Sequence, residues 1–282
     1  ERTADLTHAN AALAAEVDRR TLAENEIQRY AHKLQQSNRE LADFAFVASH
    51  DLQEPLRKVQ SFGDRLRATC GDVLGDKGLD YLTRMQDASH RMSLLISGLL
   101  DYSRVTTQAK PFVAADLQQI ATEVLCDLEV RVETLRARIE VGALPTIDAD
   151  PVQMRQLLQN LVGNALKFQP AGQAPVVTIS GRLLAADRVA GTSPRGRGDV
   201  AEITVRDNGI GFDEKFAEKI FVVFQRLHSR NQHTGTGIGL AVCRRIAERH
   251  GGTLTATSTP GSGATFIATL PCHQPMGEED HG

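Results

Sequence analysis

The feature that most restricts this chain is a seam of apolar residues near its start. Leu6, Leu13, Ile27, Leu34 and Leu41 recur at multiples of seven, and Arg20 holds the remaining place in the series. A seven-residue repeat keeps one stripe facing the same way along a helix, which is how a coiled-coil seam is written. Pro and Gly do not occur before Pro55, so the spacing predicts a helix of several tens of residues. Such a seam serves either a helix laid on a globular core or a coiled-coil dimer. With no other foldable segment beside it, a coiled coil over 1–40 is the expectation.

The pattern breaks over 69–78, where Gly71, Gly75 and Gly78 punctuate it, and resumes at Leu82, Met85, Met92, Ile96 and Leu99 with Ser89 interrupting. Two long helices joined by a Gly-rich turn predict an antiparallel hairpin over 41–108, and two hairpins would make a dimeric four-helix bundle. Lys110-Pro111 ends this region. Residues 116–136 then read as one amphipathic helix, followed by short β-like pieces at 138–141 and 146–147. Asp150-Pro151 supplies an N-cap and a first-turn proline for a helix to about Phe168. Strand-like runs at 176–180 and 202–206 flank a Gly/Pro/Arg-rich loop. A helix near 238–250 and strands at 253–257 and 265–270 follow. Helices interleaved with mostly non-parallel strands predict a two-layer α/β sandwich over 109–271, with 272–282 as a disordered tail.

Composition narrows the function classes. The 282 residues suit two domains or one domain plus a long accessory element, and 41% apolar with 24% charged residues excludes a disordered or collagen-like chain. A net charge of −3 gives no overall drive toward nucleic acid or anionic lipid, so any phosphate site must be local. No apolar run is long enough for a membrane span. The four cysteines lie far apart without CxxC pairing, which indicates neither zinc nor disulfides and suits a reducing cytoplasm. Glu1 opens in helix-like sequence, so the chain reads as the C-terminal part of something longer.

Four constellations carry chemistry. The first is Ser49-His50-Asp51-Leu52-Gln53-Glu54-Pro55 in the first long helix. Pro55 lacks an N–H, which deprives the Asp51 carbonyl of its intrahelical partner and is expected to bend the helix beside His50. A neutral imidazole nitrogen is a competent nucleophile toward phosphorus, and a carboxylate such as Asp51 can fix its tautomer and stabilise the resulting cation. The second is Asn160, Asn164 and Lys167 on one helical face. Amide oxygens suit Mg²⁺ and an ammonium suits phosphate, although the wet side of an amphipathic helix looks the same. The third is Asp207-Asn208-Gly209-Ile210-Gly211-Phe212 at a strand end. The fourth is Gly235-Thr236-Gly237-Ile238-Gly239-Leu240 at a helix start. Glycine clusters there let a backbone approach a ligand and present free N–H groups to phosphates, yet either is also compatible with an ordinary tight turn. Neither is a GxGxxG or P-loop fingerprint. His228 and His233 are metal ligands by type only and are expected to be solvated.

In this order and spacing the four motifs resemble the sensor histidine kinases, over roughly 30–271. The resemblance implies a dimerisation and histidine-phosphotransfer hairpin followed by a Bergerat-type ATP-binding domain, shared in outline with gyrase, MutL and the heat-shock chaperone ATPases. It implies that His50 takes the γ-phosphoryl of ATP, assisted by Asp51, and passes it to an Asp of a separate receiver domain. Asn164 would bind Mg²⁺, with Asn160 and Lys167 near the phosphates. Asp207 would accept from the adenine amino group, Gly209 and Gly211 would permit close approach, and Thr265 would support the base through water. Phe221 and Phe224 match an aromatic box before a mobile lid from Arg226 to Thr234. Gly235, Gly237 and Gly239 would cradle the phosphates, and Thr236 and Leu240 beside them would also contact ATP. Three departures from the pattern stand out: Glu54 where Thr or Asn serves dephosphorylation, Val222-Val223 for an acidic-Pro pair, and Gln169 for Ser or Thr. The form of the first motif is similar to kinases attached to phytochrome or PAS-type sensors, so an upstream sensor is expected, with no nucleic-acid or membrane contact by this segment.

Two other functions fit parts of the pattern. One is a silent dimeric scaffold that binds nucleotide for shape, against which stands the full set of site residues. The other is an ATP hydrolase of the gyrase or chaperone type, whose water-activating Glu would stand at position 160; Asn160 cannot take that proton.

Overall fold

Helix α1 runs Arg2–Thr107 and is broken only at Gly75, whose backbone (φ 63, ψ 175) is non-helical. In this computed structural model the described residues are 2–185, 198–225, 227 and 236–274. Within α1 the side chains of 2–12, 14, 15, 18, 31, 34, 35, 38–48 and 50 lie outside the description. The chain divides into two units, Glu1–Ala48 and Ser49–Gly282. In the first unit Leu13 and Ile27 of the heptad series are exposed, and Glu16 pairs with both Arg19 and Arg20. An apolar stripe left open in one chain is what a coiled-coil seam requires.

In the second unit the helix reverses at Gly75. A positive φ is strained for residues with a Cβ and is open to glycine. Gly71 and Gly78 remain helical, as does the backbone around Pro55, so proline does not break the helix beside His50. Cross-arm bonds join Gln53 to Ser97 (3.2 Å), Gln60 to Ser93 (3.5 Å), Asp64 to Gln86 (2.6 Å) and Arg67 to Thr83 (2.7 Å). Each pair lies nearly symmetrically about Gly75, which makes the arms antiparallel. Ser89, the interruption in the apolar pattern, is buried and its Oγ donates to the Leu56 carbonyl at 3.1 Å.

The remainder is a sheet covered on one face by helices. Strand β1 (Val113–Asp116), absent from the sequence reading, pairs antiparallel with β3 (Thr146–Ala149) as a separate ribbon. The expected single helix over 116–136 is two, α2 (Leu117–Asp127) and α3 (Glu129–Leu135), because Leu128 leaves helical geometry (ψ 2). Asp116 and Asp150 each cap a helix through their carboxylates. The five-stranded sheet has the order β2 (Arg138–Val141), β4 (Val176–Leu184), β5 (Val200–Asp207), β7 (Ala264–Pro271), β6 (Thr253–Ser258). Among the described residues only β2 and β4 pair in parallel. A parallel pair needs a crossover, and α4 (Pro151–Lys167) lies within it.

The core lies between sheet and helices. Met154, Leu157, Leu158, Leu161, Val162, Ala165 and Leu166 form the buried face of α4, and α5 (Gly239–Arg249) contributes Val242, Cys243, Ile246 and Ala247. Fully burying each such leucine or isoleucine is worth about 1.5–3 kcal/mol. At the chain end, Cys272–Gln274 are bonded rather than loose: Cys272 N donates to Asp199 O (2.9 Å), and Gln274 Nε2 to His250 O (2.9 Å). Residues 275–282 lie outside the described set.

Candidate nucleotide site

One end of α4, the end of β5 and the start of α5 meet around a cleft of about 270 Å³. Helix α4 buries its leucines on one face, so Asn160, Asn164 and Lys167 on the other line this cleft. The polar stripe is therefore a cleft wall and not simply a wet surface. Behind Asn160, the Cys243 thiol on α5 donates to Leu157 O at 3.8 Å, and burial pushes that thiol up to about 12. Cys243 is thus a neutral packing residue. The Lys167 ammonium lies 4.6 Å from the Phe168 ring centroid.

Asp207 closes the opposite side. Its Oδ1 accepts from Gly209 N (2.8 Å) and Ala264 N (3.2 Å), and among the described residues Oδ2 carries no such bond. Burial raises the Asp207 pKa above the ordinary carboxylate range, with the two N–H groups acting against the rise. Gly211 lines the cleft with φ +60, and a Cβ there would stand 2.2 Å from the Thr259 carbonyl. The glycine is thus required by the turn after β6, a reason sequence did not reveal. Thr236, Gly237, Gly239 and Leu240 form the third wall, and a Cβ on Gly239 would meet Asn160 Oδ1 at 3.2 Å.

Other expected site residues are placed elsewhere. Thr265 does not line the cleft: side chains alternate along β7, and the adjacent Ala264 and Phe266 face it instead. Gly209 acts through its N–H on Asp207. Phe224 is half-exposed with a left-handed backbone (φ 66), and its N–H donates to Gly237 O at 3.1 Å. Arg226, His228, His233, Gly235 and the His50 side chain lie outside the described residues. In the hairpin, His50 and Asp51 lie on helical backbone, and the Glu54 carboxylate pairs with Lys58 Nζ at 2.6 Å. The sequence reading missed the apolar lining: Phe168, Ile210, Phe212, Ile220, Leu227 and Phe266. Phe168 and Phe212 end the quoted motifs and were findable; Ile220 reaches the site only through folding.

The groups present suit a nucleotide. Apolar side chains can flank a base, a buried carboxylate can accept from it, and amides, an ammonium and a helix start can take phosphates. Among the described residues no cluster of three His, Cys, Asp or Glu could cage a metal. An amide oxygen shared with phosphate oxygens and water is the arrangement Mg²⁺ ordinarily takes, and Asn164 can supply it. Among the described residues no helix is long and apolar enough to cross a membrane.

Comparison with known proteins agrees. Residues 149–274 match the family described as histidine kinase-, DNA gyrase B- and HSP90-like ATPase, and residues 40–108 match the His Kinase A (phospho-acceptor) domain. The chain is 38% identical to phytochrome-like protein Cph1 of Synechocystis, over 87% of this chain and 31% of that protein. It is 40% identical to cyanobacterial phytochrome A of Nostoc, over 88% and 30%. It thus spans about a third of the curated relatives it matches. Its fold resembles the crystal structure of full-length ShkA in complex with AMPPNP, with TM-score 0.57 and 24% identity over 81% of this chain and 45% of that one. With its phospho-acceptor hairpin and its ATPase domain in tandem, the chain belongs to the sensor histidine kinases.

Proposed function

We propose that this chain is the core of a homodimeric, Mg-ATP-dependent autokinase that phosphorylates His50 and passes the phosphoryl group to an Asp of a receiver domain. The observation that carries the reading is convergence: Asn160, Asn164, Lys167, Asp207, Gly237 and Gly239, from three separate elements, line one cleft. Asp207 Oδ2 accepts from the adenine amino group. Asn160, Lys167 and the start of α5 hold the triphosphate, and Asn164 holds Mg²⁺, which when bound neutralises phosphate charge. A ring nitrogen of His50 attacks the γ-phosphorus, forming an N–P bond as the bond to the β,γ-bridging oxygen breaks. ADP leaves with that electron pair, the imidazolium loses its proton, and Asp51 stabilises the cation meanwhile.

Dimerisation is supported by an open apolar face on the hairpin. Leu52, Val59 and Leu66 lie seven apart on the first arm, Tyr81, Met85 and Met92 lie on the second, and all are exposed in the single chain. A second copy would cover them as a four-helix bundle. The phytochrome names of two relatives support a light- or ligand-sensing module upstream. An amide at position 160 supports transfer over hydrolysis, because it cannot serve as a base for water.

The test is incubation with γ-labelled Mg-ATP. The expected product is an acid-labile, base-stable label that disappears in His50→Gln while nucleotide binding persists. Label that survives this substitution refutes the assignment.

A further inference from the structure

Gly98 lies in the middle of the second arm of α1, where glycine is unfavourable relative to alanine. A Cβ built on it would stand 2.6 Å from Ile238 Cδ1 and 3.2 Å from Ile238 Cβ. Ile238 is buried, and its two neighbours, Gly237 and Gly239, line the cleft. One short turn thus offers backbone to the cleft and a side chain to the hairpin. The rest of α5 follows the same arm. The Arg245 guanidinium lies 6.0 Å from the Tyr102 ring centroid. Arg249 Nη2 donates to Lys110 O (2.7 Å), and Arg249 Nη1 donates to Gln153 Oε1 (2.8 Å), whose amide in turn donates to Val105 O (2.8 Å). Contacts advance in the same direction on both elements, so α5 runs alongside the last turns of the hairpin.

The height of this contact is informative. Gln53 bonds Ser97 across antiparallel arms, so three residues earlier on one arm faces three residues later on the other, and His50 is level with Leu100. Gly98 is two residues away, about 3 Å along the axis. We propose that Gly98 is a positioning residue: the space it leaves receives Ile238 and holds the Gly237–Gly239 end of the cleft at the height of His50 for phosphoryl transfer. This rests on the reading above, in which those glycines face the triphosphate.

A volume swap in the full chain tests it. Gly98→Val fills the space, Ile238→Ala removes the side chain that fits it, and the double variant restores the combined volume. Each single variant should phosphorylate His50 at least roughly 10-fold more slowly at saturating Mg-ATP, as ångström-scale misplacement does. Nucleotide affinity should stay within about 2-fold, because Ile238 points away from the cleft. Hydrogen exchange over residues 236–240 should quicken in both. The double variant should recover most of the rate and the protection. An unchanged or raised rate in Gly98→Val, or a loss that Ile238→Ala does not relieve, overturns the proposal. If the unmodified protein takes no label on His50, the functional reading fails instead. The seat is then judged by exchange alone, and unaltered exchange in Gly98→Val overturns it.

Discussion

The two oxygens of Asp207 have different surroundings. Oδ1 accepts from Gly209 and Ala264 N–H, which leaves Oδ2 for a ligand in the cleft. In Asp207→Asn the amide oxygen can keep the two backbone bonds, and its NH₂ then faces the adenine amino group, donor against donor. ATP affinity should fall about 10–100-fold, the ~1–3 kcal/mol cost of an unmatched buried donor, as calorimetry would show. Because burial raises the Asp207 pKa, affinity should begin to fall with acid above the ordinary carboxylate range, and the Asn variant should lack that limb. Glu54 supports a second prediction. It lies one turn after His50, is ion-paired to Lys58, and while ionised cannot donate to water as Thr or Asn can. The protein should therefore show little phosphatase activity toward a phosphorylated receiver with ADP and Mg²⁺, and Glu54→Thr should raise it. Rapid dephosphorylation that the Thr variant loses would reverse this assignment.

Among the elements, α4 was readable to within a residue, because Asp150-Pro151 starts it and the leucine spacing sets its face. Helices α2 and α3 were merged because nothing local marks Leu128; α2 buries Leu117, Ile120, Ala121 and Val124, whereas α3 beyond the break buries none of its residues. Strand β1 was missed since VAAD carries little strand signal and exists through its pairing with β3. The N-terminal seam was plain from spacing, and its exposed Leu13 and Ile27 support a third prediction. Inserting residues one at a time near Arg20 should make His50 labelling rise and fall with a period of about seven, the coiled-coil repeat. A flat response would mean the seam acts only as a tether.

At the scale of the whole second unit, a buried cluster ties the exit of the hairpin to the base of α4 and α5. The Asp150 carboxylate caps α4 and also accepts from Lys110 N (2.9 Å) and Arg249 Nη1 (3.3 Å). Asp150 N donates to Nε2 of the fully buried His250 (3.1 Å), whose Nδ1–H donates to Ile246 O (2.8 Å). Both ring nitrogens are thus committed in the neutral form, and burial lowers the His250 pKa. The unfolded chain binds this proton at about pH 6.5 and the folded chain only at lower pH, so stability is full above that range and declines as pH falls through it. Denaturant titrations should show a loss of up to about 1.4 kcal/mol per pH unit below pH 6.5 that His250→Gln abolishes. Asp207 acts oppositely, its raised value giving stability back as it protonates. None of this cluster was visible in the sequence, where Asp150 looked like a cap and His250 like a helix end. What the sequence determined by itself was periodic or local: the heptad seam, the reversal near Gly75, the cap of α4, and motifs whose residue types state their chemistry. Only the tertiary structure decided which motif faces share a cleft, why Gly211 must lack a side chain, that Gly98 faces Ile238, and that Ala264 and Phe266 rather than Thr265 reach the cleft. Those depend on contacts between residues far apart in the chain, and neither spacing nor composition encodes such distances.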